Sequence, residues 1–196
     1  MKKFCFALAL TIASVGAFAQ TAPVAPEQSA VRFLVGGGLT FGGDTLGTAT
    51  YTNGTVFDLH AGGLVDLHAG LDFLVTPSFS LQSTIGYHVD DASARNGDLR
   101  FHRMPLELLA YYHVNPKWRL GGGARYLSSV KLSSSGAAAG QDVDFDNTVS
   151  AVLEGEYLLS RHWGFKVRLV SEKLKVSGTS KTFDADHIGL MANYYF

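Results

Sequence analysis

The stretch His187-Ile188-Gly189-Leu190-Met191-Ala192-Asn193-Tyr194-Tyr195-Phe196 alternates along its whole length. In an extended strand Ile188, Leu190, Ala192, Tyr194 and Phe196 share one face, and His187, Gly189, Met191, Asn193 and Tyr195 share the other. A continuous apolar face backed by a mixed face suits a wall between lipid and a packed interior. A soluble sandwich can alternate in the same way, but it rarely leaves its last Phe on the outer face.

Seven more alternating segments precede this one, separated by turn signals. The first runs from about Val31 to Gly42, with Val31, Phe33, Val35, Leu39 and Phe41 on one face. A polar loop, Gly43 to Gly54, leads to a long second strand, Val56 to Val75. There Phe57, Leu59, Val65, Leu67, Leu71 and Phe73 alternate with Asp58, His60, Asp66, His68 and Asp72. The third strand sets Phe79, Leu81, Ile85, Tyr87 and Val89 against Ser80, Gln82, Thr84, His88 and Asp90. After a loop at Asp91 to Asp98, the fourth runs from about Leu99 to Val114. The fifth shows Trp118, Leu120, Ala124 and Tyr126 against Arg119, Gly121, Gly123 and Arg125, and a Ser/Gly/Ala loop follows at Ser133 to Gln141. The sixth opposes Val149, Ala151, Leu153 and Tyr157 to Ser150, Glu154 and Glu156; the seventh opposes Trp163, Phe165, Val167 and Leu169 to Lys166, Arg168 and Glu172. Ser177 to Thr182 is the last loop.

Connections at Thr76-Pro77-Ser78, Asn115-Pro116-Lys117 and Ser160-Arg161-His162 are short, and those between them are longer and polar. Short turns alternating with long loops around an even number of strands is the layout of barrels in the bacterial outer membrane. The fold expected is therefore all-β, an eight-stranded antiparallel up-and-down transmembrane β-barrel. Aromatic residues also sort by height. Phe73, Phe79, Tyr112, Trp118, Tyr157, Trp163 and Phe196 fall at the short-turn ends, and Phe41, Phe57, Tyr87, Tyr126 and Phe145 toward the other ends. Two such girdles match two membrane interfaces. A soluble barrel with its large residues inside would leave this outer band polar.

The amino-terminus reads as an export signal. Lys2 and Lys3 precede an apolar run from Phe4 to about Val15, and Ala17-Phe18-Ala19 has the small-x-small form of a cleavage site. The run is too short for roughly 30 Å of hydrocarbon, which argues against a membrane anchor. The expected division is residues 1–19 as a cleaved signal peptide with Gln20 first in the mature chain, 20–29 as a periplasmic lead-in, and 30–196 as the barrel. Cleavage would remove Cys5, the only cysteine, and leave 14 basic residues against 17 acidic. That excludes disulfide and thiolate chemistry, and it leaves no basic footprint for nucleic acid. Beyond the leader no run of 18 apolar residues occurs, so no transmembrane helix is expected.

The terminal Tyr194-Tyr195-Phe196 and the stretch Arg103-Met104-Pro105-Leu106-Glu107-Leu108-Leu109-Ala110-Tyr111-Tyr112 carry a resemblance. The mature chain resembles the small eight-stranded outer-membrane barrels of the OmpA/OmpX type and the opacity-like proteins. The resemblance implies a monomer in contact with outer-membrane lipid and lipopolysaccharide. It also implies delivery by periplasmic chaperones and the barrel-assembly machinery, which would read Tyr194 and Phe196 as an assembly signal. No peptidoglycan-binding domain is expected after the barrel. Members of the group differ in role, so the resemblance implies fold and address rather than an activity.

Chemistry-bearing patterns are sparse. Asp58-Leu59-His60-Ala61-Gly62 is repeated as Asp66-Leu67-His68-Ala69-Gly70, placing several carboxylates and imidazoles on one strand face. Residues two apart are roughly 7 Å from each other, so one strand supplies at most two ligands to an ion, and polar lumen filling explains the row better. Barrel enzymes that modify lipid A need a serine with a base, and no serine here has an obvious base beside it. Gly36-Gly37-Gly38 and Gly121-Gly122-Gly123 open no helix, so they are not phosphate loops and more simply relieve crowding. No catalytic residue, metal ligand or cofactor is assigned.

The short turns also predict what fills the lumen. Centring them on Pro116, Arg161 and Pro77 aligns Glu107 with Arg125, Glu154 with Arg168, Glu156 with Lys166, and Asp66 with His88, all on the inward face. If Glu107 points inward then Phe101 does too, unless a bulge intervenes. Acid–base pairs in so narrow a core suggest a plug rather than a pore. The function expected is a structural or surface-interaction protein of the envelope. The alternatives are a narrow channel or carrier for a small solute and, behind it, a lipid A-modifying enzyme.

Overall fold

Three tight turns with their own acceptors set the strand pairing. Asn115 Oδ1 accepts from the backbone N–H groups of Lys117 and Trp118 (2.9 Å each), and Ser160 Oγ accepts from those of His162 and Trp163. Thr76 Oγ1 accepts from Ser78 N–H. Side-chain oxygens that satisfy the turn backbone are why these residue types close hairpins.

The computed structural model describes residues 30–50, 56–94, 97–136, 139–140 and 142–196. Its strands are β1 (Val31–Gly42), β2 (Thr45–Thr50), β3 (Val56–His60), β4 (Leu64–Thr76), β5 (Phe79–Ala94), β6 (Gly97–His113), β7 (Trp118–Gly136), β8 (Val143–Asp144), β9 (Thr148–Leu158), β10 (Trp163–Ser171), β11 (Lys173–Lys175), β12 (Thr182–Asp184) and β13 (His187–Tyr195). Eight of them, β1, β4, β5, β6, β7, β9, β10 and β13, pair antiparallel in that cyclic order, and β13 returns to β1 with Leu39 opposite Leu190. The chain is thus a closed all-β barrel of eight antiparallel strands, and the described residues contain no helix. Closure removes the sheet edges that a bilayer could not hydrate.

The outer face is apolar as the alternation predicts. Phe33, Leu39, Leu67, Ile85, Leu108, Leu120, Leu153, Val167 and Leu190 are all exposed on it. At the short-turn end Trp163 packs on Tyr194, Tyr194 on Phe196, and Phe196 on Phe33, with ring centroids 4.9–5.5 Å apart. This ladder crosses the seam between the first and last strands. Phe57 belongs to the expected outer girdle, but its side chain is outside the described residues.

Two expectations need correction. The segment Val56 to Val75 is two strands, not one. The chain breaks at Ala61-Gly62-Gly63, where a Cβ on Gly62 would sit 2.7 Å from Gly42 O. The break reverses the faces. Leu59, expected on the lipid side, is fully buried, and Asp58 leaves the lumen to accept from Thr48 in the exposed β2–β3 hairpin. Phe101 points inward with Glu107, as the alternation predicts, because β6 itself carries no bulge. Leu99, Phe101, Arg103, Pro105 and Glu107 all point inward along an unbroken β6. The irregularity lies in β7, where Ser129 (φ 52°) and Val130 together oppose Arg103. It switches β7 from odd to even inward positions, so that Val130 and Leu132 are buried. Second, Phe145 is not a girdle residue but a buried one.

Phe145 belongs to a feature that the loops conceal. β5, β6 and β7 project beyond the other wall strands, and β2–β3, β8 and β11–β12 close over them. Leu59, Leu99, Phe101, Leu127, Val130, Leu132, Phe145 and Leu174 meet there in one buried apolar cluster. The long-loop end is therefore capped by a small hydrophobic core.

Candidate functional site

Beneath that cap the barrel interior is filled by charged side chains. Asp66, Asp72, Asp90, Glu107, Glu154, Glu156 and Glu172 meet Arg103, Arg119, Arg125, Lys166 and Arg168, all essentially inaccessible, with Arg32 at the short-turn mouth as a sixth cation. Seven acids against six cations nearly cancel, which leaves little net charge to draw ions of either sign through the lumen.

The contacts form storeys. Nearest the short turns, Arg32 pairs with Asp72 (2.5 Å), and Arg119 bridges Asp72 (3.0 Å) and Glu156 (2.5 Å). Arg119 also donates to Tyr195 Oη (2.5 Å), whose hydroxyl donates to Glu156 (2.6 Å). In the middle storey Lys166 donates to Gln82 Oε1 and Tyr111 Oη (2.8 Å each) and to Glu154 (3.1 Å). Tyr111 donates to Glu154, and Arg168 joins Glu154 to Glu107. Asn193 completes this level with its amide nitrogen toward His68 Nε2 (2.9 Å) and its oxygen toward Lys166 Nζ (3.1 Å). In the top storey Arg103 and Arg125 converge on His88 Nδ1, and Arg103 also reaches Glu172 (3.3 Å) and the Ala61 carbonyl.

Glycines make this packing fit. A Cβ on Gly36 would overlap Asn193 and His68, and one on Gly121 would enter the Tyr111 ring. These two inward glycines, one from each triplet, are thus spaces already taken by larger lumen neighbours.

The register sets Glu107 opposite Arg125, Glu154 opposite Arg168, Glu156 opposite Lys166 and Asp66 opposite His88. Arg168 contacts Glu154 directly, while Arg125 Nη1 is 3.5 Å from Glu107 Oε1 and His88 Nδ1 is 3.7 Å from Asp66 Oδ2. Lys166 turns from Glu156 to Glu154, because Arg119 and Tyr195 already hold Glu156. The sequence reading gave no partner to Arg103, Arg119, Asp72, Tyr111, Tyr195 or Asn193. Their signal was inward parity alone; their partners lie across the barrel, beyond the reach of hairpin register.

Two arrangements resemble catalytic ones. Thr40 Oγ1 lies 2.7 Å from His88 Nε2, with Asp66 behind the ring. His88 Nδ1 accepts from two guanidiniums, however, so Nε2 carries the proton and donates to Thr40. That tautomer cannot take a proton from the hydroxyl, and both residues are fully buried. Ser80 does have a base beside it, contrary to expectation: its Oγ is 3.0 Å from His113 Nε2. Ser80 is only 2% exposed, so a substrate could not reach its oxygen. The repeated Asp/His motif is divided between the external hairpin and the lumen, and no group of three metal-ligand side chains gathers among the described residues. Tyr194 and Phe196 stand on the lipid-facing ladder; Ala17, Ala19 and Gln20 are outside the described residues.

A closed barrel with an apolar exterior and a nearly balanced, charged interior defines a membrane-spanning class of protein. The chain belongs to the outer membrane protein beta-barrel domain family, which matches residues 5–196. It is accordingly a protein of the bacterial outer membrane. Among solved structures it is similar to Ail, the attachment invasion locus protein of Yersinia pestis, at 10% identity and a TM-score of 0.51, covering 85% of this chain and 97% of that one. Neisserial surface protein A is similar at 9% identity (TM-score 0.47; 86% and 98% covered), and AlkL at 14% (TM-score 0.47; 91% and 97%). No curated protein sequence matches the chain.

Proposed function

We propose that the protein is a closed, non-enzymatic barrel that serves the envelope as a structural or surface-interaction component rather than as a pore. The observation carrying this reading is that the lumen is blocked twice, by the ion-pair storeys and by the apolar cap above them. Eight strands already leave room for little beyond their own side chains. The outward wall suits a monomer bathed in outer-membrane lipid and lipopolysaccharide, with Tyr194 and Phe196 offered to the assembly machinery during insertion.

What faces outward supports a selective surface. The long-loop end exposes or half-exposes Asp44, Asp58, Asp91, Asp98, Asp142, Asp144, Asp146, Asp184 and Asp186 among the described residues. Against them stand Arg100, Lys131, Lys173, Lys175 and Lys181. Ail has been crystallised with the heparin analogue sucrose octasulfate. An acidic excess of this kind disfavours polyanions and fits neutral or cationic partners.

Planar-bilayer recording of the purified, folded protein tests the closed reading. We expect no steady conductance steps. Reproducible single-channel steps would replace it with a narrow channel for a small solute.

A further inference from the structure

At the short-turn end the lumen opens into a cavity of about 290 Å³. Leu74, Pro77, Pro116 and Leu158 form apolar walls, and Arg32, His113 and Asn115 bring polar groups to it. All three offer donors. Arg32 spends Nη2 on Asp72, and its guanidinium lies 4.5 Å from the Tyr195 ring centre; its other N–H groups have no acceptor among the described residues. Arg119 donates to Ser80 Oγ (3.2 Å), and the one acceptor open to the Ser80 hydroxyl among the described residues is His113 Nε2. His113 therefore carries its proton on Nδ1, which has no partner among those residues. Asn115 has both turn N–H groups on its oxygen, which leaves its amide nitrogen free to donate.

No acceptor side chain with a formal charge lines the cavity, since Asp72 is only 2% exposed. The surrounding segments, residues 30–32, 74–79, 113–118 and 158–163, contain no Asp or Glu, and Lys117 and Arg161 are exposed on them. The aspartates of the opposite end have no counterpart here.

We propose that this mouth is a binding site for a carboxylate bearing a small apolar substituent, presented from the periplasmic side. Short turns face the periplasm in outer-membrane barrels. A planar carboxylate matches the guanidinium fork of Arg32, leaves an oxygen lone pair for His113 Nδ1–H, and lays its substituent against Leu74 and Leu158. The volume is at the small end of ligand pockets, about 300 Å³, and so admits a small organic acid or the last residue of a peptide.

The test titrates the full folded chain in detergent micelles with N-acetylalanine, its neutral amide, a tripeptide with a free carboxy-terminus, and inorganic phosphate, read by NMR at the His113 ring and Arg32 side chain. N-acetylalanine should give saturable shifts and the amide none; tighter binding of the tripeptide would assign the source as peptide ends, and equal or weaker binding as free acids. Arg32→Gln should weaken N-acetylalanine at least tenfold, and Arg161→Gln should leave it unchanged. Asn115→Asp keeps the turn acceptor but adds a negative charge, and should abolish binding in a protein that still shows the gel mobility of a folded barrel. Binding of the amide, equal binding of phosphate, or retained affinity in folded Asn115→Asp would each overturn the proposal.

Discussion

Glu107 faces Arg125 across the β6–β7 pair, yet its nearest cation is Arg168, which reaches it from β10. Arg168 Nη2 lies 2.7 Å from Glu107 Oε2, whereas Arg125 Nη1 is 3.5 Å from Oε1. Strands β6 and β10 are not neighbours in the sheet, so this contact braces the barrel across its lumen.

Double-mutant cycles should register the difference. Arg168→Leu removes the nearest cation of buried Glu107 and one of the two cations on Glu154, and should cost on the order of 3–5 kcal/mol. Adding Glu107→Leu should recover more of that loss than it recovers in an Arg125→Leu background. Equal coupling energies for the two pairs in urea unfolding would refute the cross-lumen brace.

Overpacking gives a second check. Gly121→Ala pushes a methyl group into the Tyr111 ring, which holds both Glu154 and Lys166 through its hydroxyl. We expect a loss of about 1–3 kcal/mol. Gly122→Ala faces outward, where the nearest atom to an added Cβ is 3.5 Å away, and should leave the urea midpoint unchanged. Similar midpoints for the two variants would show that the lumen has slack.

The cap can be loosened separately from the wall. Phe101→Ala removes a ring that packs on Phe145 (5.7 Å between centroids) and should create a cavity. Trypsin should then cut at Lys131, Lys173 or Lys175 while the protein keeps the compact unboiled mobility of a closed barrel. Loss of that mobility would mean the cap is needed for the wall.

Phe196 closes the seam by packing on Phe33 at 5.5 Å. Deleting it, or replacing it with Asp, should lower the yield of heat-modifiable protein in the outer membrane. The loss combines a damaged assembly signal with a charge near the interface. Normal yield would exclude Phe196 from both roles.

The wall was legible because a lipid boundary imposes a strict period of two, and Phe33, Leu39, Val167 and Leu190 obey it. Hairpin register was legible where turns were short, which is why Glu154 could be set opposite Arg168. Two local events escaped. The break at Gly62-Gly63 and the extra residue at Ser129 reverse parity without changing composition. The Glu107–Arg168 brace escaped because closure, not chain neighbourhood, brings β10 to β6. The cap escaped because Leu59, Phe145 and Leu174 are scattered singly among Asp, His and Lys, and a cluster assembled from five separate segments leaves no periodic trace.

The cap also makes the molecule answer to two solvents. Its greasy core sits in water, where cohesion fades on cooling and yields readily to urea. The wall around the charged interior sits in hydrocarbon, where unfolding would bare every peptide group to lipid. Chilling or mild denaturant should therefore undo the headpiece first and leave a bare cylinder behind, so that the external structure and membrane residence can be lost on separate schedules.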